Sequence, residues 1–185
     1  MLNHKGTITL ETPRLILRMA QITDAEAMFR NWANDPEVTK FLTWPTHGDV
    51  VVTEEVLTNW VDRYQKDDYY QWMIVLKDIG EPIGSIMSST VGRAQSAHIG
   101  YCIGKQWWRK GIMSETLKTV MDFLFDDVGY HRVEAMHDPN NPHSGDVMRK
   151  CGMRYEGTLR QADRNNQGVC DACYYGLLSS ERNVK

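Results

Sequence analysis

The sequence lacks both a long apolar run and an excess of positive charge. It carries 21 Lys and Arg against 24 Asp and Glu, which gives a formal net charge of −3 and a pI near 6.1. The whole chain therefore has no charge surplus that would attract nucleic acid or an acidic membrane. Residues 1–7 contain no continuous apolar stretch, so we expect a cytoplasmic protein that neither binds nucleic acid directly nor associates with membranes.

Cysteine is also scarce, with four residues in the chain. Cys170 and Cys173 form a Cys-x-x-Cys motif, whereas Cys102 and Cys151 are isolated. A zinc site would need two further ligands at suitable spacing. The motif falls in a late strand pattern, where residues three apart point to opposite faces. We interpret the four cysteines as buried, reduced thiols and predict no metal site.

The chain has 185 residues, of which 42% are hydrophobic. That length and composition suffice for one core, so residues 1–185 are predicted to form a single domain. Its central pattern is a strand that ends near Ile103, a basic turn around Gly111, and a helix with Leu117, Val120 and Leu124 on one face.

The turn has the chemistry of an anion site. The first backbone N–H groups of a helix have no intrahelical partner and lie at the positive end of its dipole, so the amides of residues 109–114 can converge on a phosphate. Gly111 has no Cβ, which allows a close backbone approach. Arg109 and Lys110 add positive charge, although long side chains in turns are often simply solvated. Because most Gly-containing turns bind nothing, the flanking residues must show whether this turn binds an anion.

Those flanks are informative. Residues 99–103 read Ile-Gly-Tyr-Cys-Ile, and residues 108–115 read Trp-Arg-Lys-Gly-Ile-Met-Ser-Glu. Together they resemble the acetyl-CoA motif of GCN5-related N-acetyltransferases, in particular the RimJ/RimL-like branch that acts on ribosomal-protein N-termini. In the consensus Gln/Arg-x-x-Gly-x-Gly/Ala, Trp108 takes the first position, Gly111 the central one and Met113 the last. Met113 departs from the small residue expected there, so the resemblance implies that only its N–H faces the pyrophosphate.

The opening strand, Thr-Pro-Arg-Leu-Ile-Leu-Arg at residues 12–18, resembles the same branch. The resemblance implies an α/β (α+β) acyl-CoA N-acyltransferase fold, with a mixed, splayed central sheet and helices on both faces. Strands over residues 97–103 and 131–136 would diverge to admit the pantetheine arm of acetyl-CoA, the implied cosubstrate. The implied cofactor-binding residues are Tyr101, Cys102, Ile103, Trp108, Arg109, Lys110, Gly111, Ile112, Met113, Ser114, Asn141 and Lys150.

A second family motif, Asn-x-x-Ser-x-x-Val-x-x-Lys-x-Gly-Phe/Met, is matched by Asn141, Ser144, Val147, Lys150, Gly152 and Met153. The resemblance implies that Ser144 donates a proton or hydrogen bond to the departing CoA thiolate. Helix capping is the alternative role for Ser144 and for Asn141.

Asp163 precedes the predicted hairpin turn at residues 165–168, where the branch carries an acidic residue proposed to deprotonate the amine through water. Stabilisation of the turn is the alternative role. A peptide α-amine has a pKa of about 7.7 to 8.0 and the lysine side chain one of about 10.4. A carboxylate acting through water therefore deprotonates an α-amine more readily than a lysine.

Trp44 and His47 lie in an irregular loop and are candidate acceptor-binding residues. Alternatively, Trp44 caps the core and His47 is exposed. We therefore expect an enzyme that moves acetyl from acetyl-CoA by direct attack onto a primary amine, foremost a protein N-terminus of the ribosomal type. A small-molecule amine acetyltransferase and a catalytically silent acyl-CoA-binding module remain alternatives, and a homodimer is the oligomeric state that the branch implies.

Overall fold

One eight-stranded sheet organises the computed structural model, which describes residues 1–182. Its strand order is β1-β2-β3-β4-β5-β6-β8-β7, and every neighbouring pair is antiparallel except β5 and β6. The strands are β1 (Leu10–Glu11), β2 (Leu15–Arg18), β3 (Tyr70–Leu76), β4 (Glu81–Val91), β5 (Ser96–Ile103), β6 (Arg132–His137), β7 (Arg154–Asn165) and β8 (Gly168–Leu178).

Five helices connect these strands: α1 (Ala25–Met28), α2 (Pro36–Thr39), α3 (Val50–Arg63), α4 (Ile112–Phe123) and α5 (Pro142–Lys150). α1 and α4 each continue into a wider turn, through Ala33 and Val128. Asp49 starts α3, because its carboxylate accepts a hydrogen bond from the Val51 amide at 2.9 Å. None of the helices in residues 1–182 is long and apolar enough to span a membrane.

The helices cover both faces of the sheet, as predicted. On one face, Leu117 and Val120 of α4 pack in a buried cluster with Val133 of β6. On the other face, Trp32 and Leu57 pack against β3 in a second cluster. Each buried side chain of this size removes apolar surface worth about 1.5 to 3 kcal/mol from water, so the two clusters fix the helices to the sheet.

The functional feature of the sheet is the gap between β5 and β6. These parallel strands pair at only two positions, Ala97 with Val133 and His98 with Glu134. Beyond them the strands separate, and within the described chain residues 99–103 of β5 keep β4 as their only strand partner. The predicted mixed, splayed sheet is therefore confirmed.

Candidate active site

A cavity of about 330 Å³ lies at this gap. Four segments line it: α2 with the loop that follows it, the end of β5, the turn that starts α4, and α5. The residues predicted to bind the cofactor that line it are Tyr101, Cys102, Ile103, Trp108, Arg109, Gly111, Ile112, Met113, Ser114, Asn141 and Lys150, and Ser144 also faces it. Lys110 is the one predicted cofactor residue outside the lining.

The turn before α4 presents a row of unpaired amides. Within residues 1–182, the backbone N–H groups of residues 109–114 donate no hydrogen bond, and the first bond that returns to the turn joins the Glu115 amide to the Gly111 carbonyl at 3.1 Å. Gly111 has φ +73°, a left-handed conformation that glycine adopts without strain. The amides and the helix dipole thus favour an anion at this point.

Two cations flank the turn. A Cβ placed on Gly111 would lie 3.8 Å from a guanidinium nitrogen of Arg14 and 3.9 Å from Lys150 Nζ. Arg14 also donates to the Lys110 carbonyl at 3.1 Å and pairs with Glu115 at 2.5 Å, so it braces the turn from β2. Lys150 was expected here from its motif, whereas Arg14 was not, because it lies far from the turn along the chain.

The end of β5 lines the cavity with Tyr101, Cys102 and Ile103. Burial raises the pKa of the Cys102 thiol, and its Sγ lies 3.5 Å from Ser85 Oγ on β4. Trp108 Nε1 donates to the Ile103 carbonyl at 2.8 Å, which fastens the turn to the strand. The edge of residues 101–103 that faces the gap has no strand partner among residues 1–182.

Ser144 lies in the first turn of α5, against Tyr101. The Tyr101 hydroxyl is 3.0 Å from both the Ser144 carbonyl and Ser144 Oγ. A carbonyl can only accept, so Tyr101 donates to it, and the Ser144 proton is left to bond the Tyr101 oxygen or a ligand. Burial raises the pKa of Tyr101, which keeps this phenol protonated. Asn141 occupies the cap position of α5, although its side chain makes no capping bond within the described chain.

Asp163 lies on β7, opposite Cys170 of β8, and does not line the cavity. The segment is nevertheless tied to α5. Buried Asp138, at the start of the turn into α5, accepts hydrogen bonds from the Asn140 amide and from Asn165 Nδ2, each at 2.8 Å. One carboxylate therefore holds the first turn of α5 and the β7–β8 hairpin together.

Trp44 and His47 belong to the second core cluster or its surroundings, outside the cavity lining. His47 is 5% exposed, its Nδ1 lies 2.7 Å from Thr53 Oγ1, and its ring centroid lies 5.2 Å from that of Trp44. This side of the cavity is instead built by Val38 of α2 and by Phe41 and Leu42 of the loop that follows it. The apolar side chains of these residues were the available signal in the sequence for this side of the cavity.

The same loop is joined to the β7–β8 hairpin by Asn166. Its amide bonds the Leu42 carbonyl at 3.2 Å, and its Nδ2 bonds the carbonyls of Thr39 and Trp44 at 2.8 and 2.7 Å. Two segments that are far apart in sequence are thereby fixed to each other.

The four cysteines are free, and each is half-buried, whereas buried thiols were expected. In the part of the chain that the structure describes, no group of three or more His, Cys, Asp and Glu side chains is placed to hold a metal ion.

The chain belongs to the GNAT acetyltransferase family: the family model described as "Acetyltransferase (GNAT) domain" matches residues 14–154. It is therefore an N-acetyltransferase that uses acetyl-CoA. The uncharacterized N-acetyltransferase YoaA of Bacillus subtilis is 32% identical over 170 residues, which cover 91% of this chain and 96% of that protein.

More distant relatives have named substrates or ligands. The [ribosomal protein uS5]-alanine N-acetyltransferase of Escherichia coli is 26% identical over 159 residues, which cover 81% of this chain and 80% of that protein. The microcin C7 self-immunity acetyltransferase MccE, solved with acetyl-CoA and AMP, superposes with a TM-score of 0.80 at 19% identity over 90% of this chain and 93% of MccE. This last likeness concerns the fold alone.

Proposed function

We propose that this enzyme acetylates the N-terminal α-amine of a protein by direct attack on acetyl-CoA. The observation that supports direct transfer from acetyl-CoA is the row of unpaired amides at residues 109–114, which lies beside the gap between β5 and β6. Similarity to the uS5-alanine acetyltransferase of E. coli supports a ribosomal-protein type of acceptor.

In this proposal the diphosphate binds the amides of residues 109–114, and Arg14, Arg109 and Lys150 supply positive charge around it. The pantetheine arm enters the gap, and the backbone of residues 101–103 polarises the thioester carbonyl. The Ser144 hydroxyl, which faces the cavity beside Tyr101, donates to the leaving thiolate. Asp163 assists deprotonation of the amine from the hairpin.

A small-molecule amine is the second candidate acceptor, and one observation favours it. Asn166 fixes the loop around Leu42, which lines the cavity, to the β7–β8 hairpin. A fixed loop beside the cavity favours a compact acceptor over an extended peptide chain.

Thiol release from acetyl-CoA across a panel of free-N-terminal peptides, polyamines and aminoglycosides distinguishes these functions. We expect the fastest release with a peptide bearing a free α-amine, and none with the same peptide carrying a blocked N-terminus. Faster release with a polyamine or aminoglycoside would replace the proposed acceptor. No release with any acceptor, despite tight CoA binding, would favour the silent module.

A further inference from the structure

The cavity has two ends of different chemistry, and α5 runs from one end to the other. Lys150 lies in the last turn of α5, and its Nζ would be 3.9 Å from a Cβ placed on Gly111. Ser144 lies in the first turn, about 9 Å away along the helix axis at about 1.5 Å per residue. In the proposed reaction the diphosphate binds at the Lys150 end, so the thioester lies at the Ser144 end.

The loop that follows α2 is held at the Ser144 end by the β7–β8 hairpin. The Asn166 amide bonds the Leu42 carbonyl at 3.2 Å, and the neighbouring Asn165 bonds Asp138 through its Nδ2 at 2.8 Å. Asp138 lies in the turn that leads into α5. These contacts place the loop around Leu42 beside the start of α5, where the acceptor amine has to meet the thioester.

The side chains at this end of the cavity are apolar. Val38, Phe41 and Leu42 line it, together with Ile103 at the end of β5. Phe41 and Leu42 are half-buried, so part of each side chain stays in contact with water until a ligand covers it. Removal of apolar surface from water is favourable, and a ligand group that binds here therefore gains affinity by being apolar.

The charges around this end disfavour a cationic group. Among the described residues that line the cavity, the one acid is Asp146, which pairs with Arg149 at 2.5 Å and lies 3.4 Å from His143 Nδ1. Lys40 adds a positive charge, with its Nζ 5.1 Å from the centre of the Phe41 ring. A second ammonium on the acceptor would therefore lose water without gaining a carboxylate partner.

We propose that the acceptor is a protein N-terminus whose first residue carries an uncharged apolar side chain, which packs against Phe41 and Leu42. The inference rests on the proposed function and names the substrate class within it. The α-amine reaches the thioester beside Ser144 while the side chain covers the exposed parts of Phe41 and Leu42. A leucine or methionine side chain covers more of this surface than the methyl group of alanine, so we expect the larger side chains to be preferred.

The test compares peptides with a free α-amine that differ only in their first residue, which is leucine, methionine, alanine, serine or lysine. Thiol release is measured at saturating acetyl-CoA. One methylene group in an apolar pocket changes kcat/KM by about 10-fold to 200-fold. We therefore expect kcat/KM to be highest for the leucine and methionine peptides, about tenfold lower or more for the alanine and serine peptides, and lowest for the lysine peptide.

Phe41→Ala tests whether this side of the cavity contacts the first side chain. Loss of the ring removes surface that leucine covers, so the ratio of kcat/KM between the leucine and serine peptides should fall about tenfold. The KM for acetyl-CoA should stay within about twofold. A purely structural defect would instead lower kcat/KM for all peptides by one common factor. Ile22→Ala is the control, because Ile22 is 50% exposed and lies outside the cavity lining, and it should keep the wild-type ratio.

Leu42→Asp is a second, independent test, because it places a carboxylate at the apolar end. We expect it to raise kcat/KM for the lysine peptide relative to the leucine peptide by about tenfold or more. The inference is overturned if the wild type acetylates the leucine and serine peptides equally well, if the lysine peptide reacts fastest, or if neither substitution changes the order of the peptides. Acetylation regardless of the first residue would leave the proposed function intact, whereas acetylation of no peptide would overturn that function and this inference with it.

Discussion

Gly145 offers a sharp test of how α5 is seated. A Cβ built on this residue would lie 2.5 Å from His137 Nε2 and 3.1 Å from the Tyr175 hydroxyl. His137 cannot swing aside easily, because its Nδ1 donates to the Asp138 carbonyl at 2.8 Å. Its Nε2 is buried and has no hydrogen-bond partner within residues 1–182, so the ring presses directly on the helix. Gly145→Ala must therefore displace α5.

The displacement and its energy follow from the geometry. Ordinary van der Waals contact begins at 3.4 Å, so the Ala methyl group needs about 1 Å of extra space. Overpacking of this kind costs about 1 to 3 kcal/mol of unfolding free energy, which at about 2 to 4 °C per kcal/mol lowers Tm by roughly 2 to 12 °C. The same shift would stretch the 3.0 Å contact between Ser144 Oγ and Tyr101 beyond hydrogen-bonding distance. A misplacement of about 1 Å can cost about 10²-fold in rate.

Thermal unfolding and kcat are the measurements, with Gly48→Ala as the control. A methyl group added at Gly48 would have nothing within 4 Å, and this residue has no positive φ, so its change stays within about 0.5 kcal/mol. A double-mutant cycle with His137→Ala locates the clash, because removal of the ring should relieve most of the cost of Gly145→Ala. An equal cost in both backgrounds, or an unchanged Tm, would refute this explanation.

Three further substitutions test the site. Gly111→Ala at φ +73° should lose about 1 kcal/mol of stability and weaken CoA binding in calorimetry. Its control, Gly92→Ala at φ +66°, should lose a similar amount of stability and keep the wild-type CoA affinity. If the two variants bind CoA equally well, the turn does not have the role assigned to it. Tyr101→Phe removes the hydrogen bond that holds Ser144, so steady-state kinetics should show kcat about tenfold lower at an unchanged acetyl-CoA KM. A change confined to KM would contradict the role of Tyr101 in positioning Ser144. Asn166→Ala frees the loop around Leu42 from the hairpin and should alter the acceptor KM more than the acetyl-CoA KM. A larger change in the acetyl-CoA KM would argue against a role of this loop in acceptor binding.

Local patterns predicted the strand–turn–helix unit well. β5 was expected over residues 97–103 and spans Ser96–Ile103, and α4 follows Gly111 as expected. These features depend on neighbours in sequence: side-chain alternation, a glycine with positive φ, and the apolar face of a helix.

Residues brought together by strand pairing were harder to predict. Arg14 reaches the Lys110 carbonyl only because β2 and the α4 turn are adjacent in three dimensions. His98 and Glu134 meet only once the register of β5 and β6 is known. No period or short motif encodes such a register, which depends on the packing of the whole sheet.

The most direct test of cofactor binding at the α4 turn is a titration of the ¹⁵N-labelled protein with CoA, followed by amide chemical shifts. We predict that the amides of residues 109–114 shift most, because they are unpaired and would bond the diphosphate, and that residues 101–103 follow at the gap. Unchanged chemical shifts for the amides of residues 109–114 at saturating CoA, or larger shifts elsewhere in the protein, would contradict cofactor binding at this turn.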